Sequence, residues 1–357
     1  MKLKIIHWIL LFLISHSFIK LSAKEAVYKI NTLDKEYTLD SKVAGKWSYT
    51  QQTISPAKNI NQQKITWKQT PIPSNLYKVD KNLSKKPTVW LRKDIVIAKI
   101  PQQQHMSIKL GIITDADRVY INGVLIGQHG ELQIEEVQGY DKLRIYPIPD
   151  GLLQENITNT VLVYIESNVF TNYLGISENT TSIGPSILVK DRIQKQEYLS
   201  LCIIAVYFAF GSYFLFLAIR RRKEKENLLF GLFTTFMASY LLLRKQIKYD
   251  FSIHLQYLKK IEYLILPLLL PSLYHFIRTY FKRDSNWLFK ICDGILCVIF
   301  FTYLIINDVS LMSSIHLFVT EPIWVIYLVG MFHILFSEWR KKNVDASYFL
   351  ISQAGMV

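Results

Sequence analysis

Two hydrophobic rhythms divide this chain. In the second half, long apolar runs alternate with short charged gaps. They predict membrane-spanning helices over about residues 198–219, 228–243, 261–281, 289–306 and 314–336, with a further apolar stretch opening at Ala346. Residues 24–192 follow a different period. Short runs rich in Val, Ile, Tyr and Thr, at 89–97, 106–110, 118–121, 124–126 and 160–165, recur between turn signals, and no helical period spans the block. That pattern predicts an antiparallel β-sandwich. Its clearest local signal is Asn122-Gly123 between two β-rich runs. Both residues tolerate positive φ, which the two central positions of a type I′ hairpin turn require. In residues 91–97 the alternation is less regular than in an ideal strand.

The N-terminus adds a leader. Lys2 and Lys4 precede a mostly apolar run over residues 5–19, and Leu21-Ser22-Ala23 supplies small residues for cleavage. Residues 1–23 read as a signal peptide cut near Ala23, the alternative being an uncleaved anchor. Either reading exports the block that follows. The expected fold class is therefore multi-domain: an exported all-β jelly-roll sandwich (24–192), then an all-α polytopic membrane domain (193–357), joined by a polar linker at 190–197.

Charge sets the expected orientation. Arg220-Arg221-Arg222-Lys223, Lys282-Arg283 and Arg340-Lys341-Lys342 follow the first, third and fifth runs, and the positive-inside rule places them in the cytoplasm. One connection breaks the rule: residues 244–260, expected outside, carry Arg244, Lys245, Lys248, Lys259 and Lys260. The net charge of +14 is spread over such flanks, which argues against nucleic acid as a partner. The three cysteines all fall in apolar runs, so the exported block folds without disulfides. That favours the inner membrane of a bacterium, with the sandwich in the periplasm.

No metal-ligand spacing, phosphate loop or nucleophile motif is present, so no cofactor, no metal and no enzyme are expected. Glu131, Glu135 and Glu136 read as a solvated loop rather than a catalytic carboxylate pair. Sugar recognition calls for an aromatic face with polar neighbours. The ligand-binding candidates are Trp90, Arg92, Asn122, Tyr140 and Tyr173, with Trp47 and Trp67 as further aromatics. Each has a plainer reading: Asn122 as turn chemistry, Trp90 as a core aromatic, Arg92 in a cross-strand ion pair with Asp117. In the spans, polar residues are costly and informative. Glu321-Pro322 reads either as a signalling hinge or as a carboxylate pairing with a neighbouring helix. His275 and Arg278 share one helical face, Pro267 and Pro271 are expected to bend their helix, and Asp293 is expected to pair with Lys290.

Two resemblances sharpen this picture. Trp90-Leu91-Arg92, the segment DADRVYINGVLIGQHG, the run Arg144-Ile145-Tyr146-Pro147-Ile148-Pro149 and NTVLVYIES together resemble the galactose-binding-like jelly roll found at the N-terminus of β-galactosidase-type glycosidases. In those glycosidases the catalytic carboxylates lie in a separate barrel, which implies no catalysis here. The order of leader, sandwich and closely spaced spans, with ENLLFGLFTTFMASYLLL in the second span, resembles the bacterial seven-transmembrane receptors with diverse intracellular signalling modules. The resemblance implies a membrane receptor whose exported jelly roll binds a carbohydrate or other envelope ligand and signals to a cytoplasmic output. Here the stretch from Ala346 provides about 12 residues, too few to cross as a helix, so the chain reads as a fragment or a truncated product lacking its output. The expected partners are the lipid bilayer, the envelope ligand, a cytoplasmic signalling protein and a second copy in a homodimer. The alternative function is a non-signalling membrane anchor that binds a glycan or protein. A transporter would show internal repeats with broken helices, and none is evident.

Overall fold

The structure, a computed structural model, describes residues 27–56, 63–83, 88–113, 116–131, 138–139, 141–167, 173–178, 180–251 and 253–354. The leader, Tyr140, Glu135 and Glu136 lie outside these residues.

The polar, strand-patterned block is an all-β sandwich. Its strands are β1 (Tyr28–Thr32), β2 (Tyr37–Thr38), β3 (Trp47–Thr50), β4 (Lys68–Thr70), β5 (Thr88–Lys99), β6 (Met106–Ile113), β7 (Ala116–Ile121), β8 (Val124–His129), β9 (Leu143–Ile148), β10 (Thr158–Glu166), β11 (Ile176–Glu178) and β12 (Ser182–Pro185). One sheet runs β4-β3-β5-β10-β7-β8, with β1 also paired to β5; the other runs β11-β6-β12-β2, with β9 also on β6. Between them lie Val89, Leu91, Ile95 and Ile97 of β5, Val119 and Ile121 of β7, and Val161, Val163 and Ile165 of β10, against Ile108, Leu110, Ile148 and Ile183. Full burial of such a side chain contributes about 1.5–3 kcal/mol, so the alternation of β5, β7 and β10 is what commits these faces to the interior. The irregular stretch of β5 has a physical cause. Lys93 occupies an inward position, and its ammonium is capped by the carbonyls of Ala44, Gly45 and Lys46. Burial lowers its pKa to about 8. Trp47, a candidate platform from sequence, is fully buried and donates its indole N–H to Leu39 O at 2.8 Å.

The Asn122-Gly123 hairpin forms as expected. Asn122 has φ 50° and Gly123 φ 85°, and Ile121 pairs with Val124 across the turn. At Gly127 the close neighbour is an aromatic ring: a Cβ there would stand 2.1 Å from Tyr146 Cδ1. The small residue lets β9 lie against β8.

Among the described residues, five helices are long and apolar enough to cross a membrane: α1 (Ser186–Arg220), α2 (Lys225–Leu243), α3 (Leu255–Tyr280), α4 (Trp287–Ile305) and α5 (Val309–Arg340). A sixth, α6 (Val344–Ala354), follows. Phe210, Val298, Phe301 and Val329 point outward and are more than half exposed, as lipid-facing residues are, while Tyr274, Leu296, Tyr303, Met312, Tyr327 and Met331 form the bundle core. Residues 190–197 are not a linker. Helix α1 begins at Ser186, directly after β12, and runs unbroken into the membrane segment. Hydropathy marks where a span becomes apolar, not where its helix starts. Pro267 and Pro271 sit inside an unbroken α3.

Candidate functional site

Strand register builds one cleft on the outer face of the larger sheet. Residues 90, 92 and 94 of β5 alternate away from the core. The pairing aligns Thr50 of β3 with Trp90, Trp90 with Tyr164 of β10, and Tyr164 with Arg118 of β7. Trp90, Tyr164 and Arg118 of this row line a 350 Å³ cleft together with Gln51, Gln52, Ile54, Thr88 and Tyr120. The Trp90 ring lies 4.9 Å from that of Tyr164 and 6.0 Å from that of Tyr120. Trp90 is nearly buried, whereas Arg118 is exposed at the mouth. Aromatic faces beside amide, hydroxyl and guanidinium groups, at the lower end of small-molecule site volumes, suit a sugar ring: C–H faces against the aromatics, hydroxyls toward the polar rim.

The other ligand candidates do not converge there. Arg92 lies in the next row and holds Asp94 in a two-pronged contact, Nε to Oδ1 at 3.1 Å and Nη2 to Oδ2 at 2.6 Å, beneath the Trp67 ring. The expected Arg92–Asp117 pair is absent, because Asp117 faces the opposite side of the sheet and is bound by Arg144 and by Tyr146 Oη. The Asn122 side chain ties loops together, donating to Leu152 O and Asn159 Oδ1 and accepting from Thr160 N–H, each at 2.9 Å. Tyr173 donates to Ile176 O at 3.1 Å, away from the cleft. Tyr120, Tyr164 and Arg118 were not singled out from sequence; the sign was their odd–even match to Trp90 in the strands flanking it.

A second feature joins the sandwich to the helices. The turn Gln246–Asp250, between α2 and α3, meets the loop that leads into β9. Asp141 accepts from Lys248 Nζ at 2.5 Å and from Tyr249 Oη, with Lys259 Nζ at 3.8 Å. Gln246 donates to Asp141 O and accepts from Leu143 N–H, both at 2.9 Å. Lys259 bonds Glu262 at 2.6 Å, and Glu262 lies 3.5 Å from Arg244. The side chains of Lys248 and Lys259 are each only 2% exposed, so the carboxylates are what make those charges tolerable there. Burial raises the Asp141 carboxyl, but the ammoniums of Lys248 and Lys259 outweigh it and hold its pKa below the ordinary value. The contact is thus charged and intact above the ordinary carboxylate range and is lost only as pH falls through the lower, folded-state value. This explains the basic connection at 244–260: its buried lysines are neutralised by Asp141 and Glu262.

One strand links cleft and contact. Arg118 and Tyr120 of β7 face the cleft, while Asp117, one residue away, faces inward and binds Arg144. Arg144 in turn donates to Gly139 O at 3.0 Å and Lys142 O at 2.7 Å, the carbonyls that bracket Asp141. His129 packs beside this loop, with its pKa pulled to about 3 by burial and by the nearby charges of Arg144 and Lys142.

Within the bundle, His275 Nε2 of α3 lies 3.0 Å from both carboxylate oxygens of Asp293 on α4, and Tyr327 Oη of α5 donates to the same carboxylate at 2.5 Å. Asp293 therefore pairs across helices rather than with Lys290. Arg278 lies one turn beyond His275, and its Nε is buried without a partner among the described residues. Among the described residues Glu321 pairs with no other helix; the basic side chain beside it is the His316 imidazole of its own helix, at 3.7 Å. Pro322 sits just after a π-helical turn, His316–Thr320. Proline has no N–H to donate and crowds the carbonyl four residues back, and the wider turn accommodates both.

The described residues thus combine a β-sandwich with a bundle of apolar, membrane-length helices. The family model described as 7TM diverse intracellular signalling matches residues 196–357, the helical region. No curated protein matches the chain. Solved structures that resemble part of it include a calcium-binding mutant of Bacteroides uniformis β-glucuronidase 2 (18% identity, TM-score 0.32, covering 42% of this chain and 18% of that one). Others are a Faecalibacterium prausnitzii β-glucuronidase (19%, 0.28, 37% and 21%) and an Eisenbergiella tayi β-galacturonidase bound to galacturonate (12%, 0.31, 42% and 24%). The chain spans about a quarter or less of the length of each of these three.

Proposed function

We propose that this multi-pass membrane protein is a sensor. Its sandwich, exported to the periplasm of a bacterium by residues 1–23, takes a carbohydrate in the Trp90 cleft. Occupancy is passed through β7, Arg144 and the Asp141 contact to α2 and α3, and from the bundle to a cytoplasmic output. The observation that carries this reading is the Asp141 contact: a partly buried, multiply bonded carboxylate on the sandwich grips the connection between two membrane helices. A simple tether needs no such grip. A ligand shifts such a system only if it binds two arrangements unequally, and Arg118 supplies the lever, since any movement of β7 on the cleft side moves Asp117 with it.

The test is tryptophan fluorescence of the full chain in lipid nanodiscs, titrated with a panel of neutral and acidic mono- and oligosaccharides. At least one sugar should quench saturably, and Arg118→Ala, an exposed substitution, should weaken it about tenfold. A panel with no saturable binder would remove carbohydrate as the ligand class. Binding unaffected by Arg118→Ala would move the site off this cleft.

A further inference from the structure

At the opposite end of the bundle, a 770 Å³ groove runs between α3, α4 and α5. Its floor is the Tyr274–Phe289 stack, with ring centroids 4.2 Å apart. Gly330 gives the floor its depth: a Cβ there would stand 2.4 Å from Phe289 Cζ, so the ring lies directly on the α5 backbone. The walls are apolar and open, with Val325 57% and Val329 63% exposed. The mouth is polar and basic. Lys282, Asn286, His333 and Ser337 line it, with Arg283, which is held by Ser337 Oγ at 2.8 Å and Glu338 at 2.5 Å, and with Asp284. Segments 282–286, between α3 and α4, and 338–342, at the end of α5, carry five cations (Lys282, Arg283, Arg340, Lys341, Lys342) against two carboxylates (Asp284, Glu338).

We infer that this groove is a binding site for an anionic phospholipid. An apolar slot that opens sideways between membrane helices and ends in cations and hydrogen-bond donors matches a molecule with the same gradient, its acyl chain along Val329 and Phe289 and its phosphate at Lys282, Asn286 and His333. Net positive charge at the mouth selects an anionic headgroup over a zwitterionic one. A free phosphate would leave the apolar length of the groove unused. The inference is independent of what the sandwich binds.

The test uses the full chain, extracted in mild detergent and titrated in native mass spectrometry with phosphatidylglycerol, phosphatidylcholine or inorganic phosphate. One phosphatidylglycerol should be retained at least fivefold over phosphatidylcholine. Lys282→Asn, chosen because Asn tolerates the left-handed backbone at this position (φ 52°), should cut that retention about fivefold. Gly330→Leu, which fills the floor, should cut both lipids alike. Equal retention of the two lipids, binding of phosphate alone with the same Lys282 dependence, or a dimer abolished by Gly330→Leu would each overturn the inference; the last would assign the groove to a second copy of the chain.

Discussion

Replacing Asp141 with Asn should loosen the sandwich from the membrane helices without unfolding either. The carboxylate is the counter-charge to Lys248 and Lys259, both almost sealed from water. Breaking a buried pair from one side costs about 3–5 kcal/mol, because the remaining charge is left uncompensated. The Asp141 side chain is itself 21% exposed, and the Gln246 bonds to the Asp141 and Leu143 backbone survive the substitution, so the low end applies, about 3 kcal/mol. That corresponds to roughly a hundredfold rise in the undocked fraction. Hydrogen exchange with mass spectrometry reads this directly, since the Leu143 amide donates across the contact to Gln246 Oε1. Exchange at Leu143 and over residues 246–250 should accelerate about a hundredfold in Asp141→Asn, while Val163 in the sandwich core stays protected. Adding Lys248→Met should restore at least half of the lost protection, because it removes the stranded charge. Leu143 protection within threefold of wild type would refute the reasoning, and so would equal acceleration at Val163, which would mean global unfolding.

Three further outcomes follow from the same geometry. His129, with a folded pKa near 3 against an ordinary value of 6.5, makes the unfolded chain bind the extra proton between those limits. Sandwich stability should therefore be complete above about pH 6.5 and fall as pH drops below it, by about 1 kcal/mol at pH 5 after solvent screening; thermal melts of wild type and His129→Gln should diverge in that window, and parallel curves would contradict it. Gly127→Ala should cost about 1–3 kcal/mol by driving the Tyr146 ring off β8, and an unchanged melting temperature would show that the ring moves freely. Asn122→Ala should cost about 1–3 kcal/mol, since it strands the Thr160 N–H and the Leu152 carbonyl; loss of sugar binding without loss of stability would instead make Asn122 a ligand contact.

Local rhythm made much of this molecule readable before its structure. The Asn122-Gly123 turn needed only the backbone freedom of two residues, and the helix positions needed only the length of apolar runs. What stayed hidden was pairing between distant segments. Asp117 finds Arg144 27 residues on, and Asp141 finds Lys248 107 residues on; periodicity carries no record of such partners. The one trace was an excess of lysines in residues 244–260, a connection expected outside, and Lys248 and Lys259 of that connection are the ones that meet Asp141. In the cleft, Trp90 was visible by residue type, but Tyr120, Tyr164 and Arg118 join it only through register. Polar residues at the start of α1 looked like a linker because helical continuity and membrane burial are separate properties, and only the second shows in hydropathy.

The central claim is that a ligand in the Trp90 cleft changes the grip of Asp141 on the helices. The most direct test is hydrogen exchange over residues 246–250 of the full chain in nanodiscs, with and without a saturating sugar that quenches Trp90. The account predicts a change in protection of at least threefold there, abolished by Asp141→Asn. Sugar binding that leaves residues 246–250 unchanged would contradict it and make the sandwich a membrane-held binding module rather than a sensor.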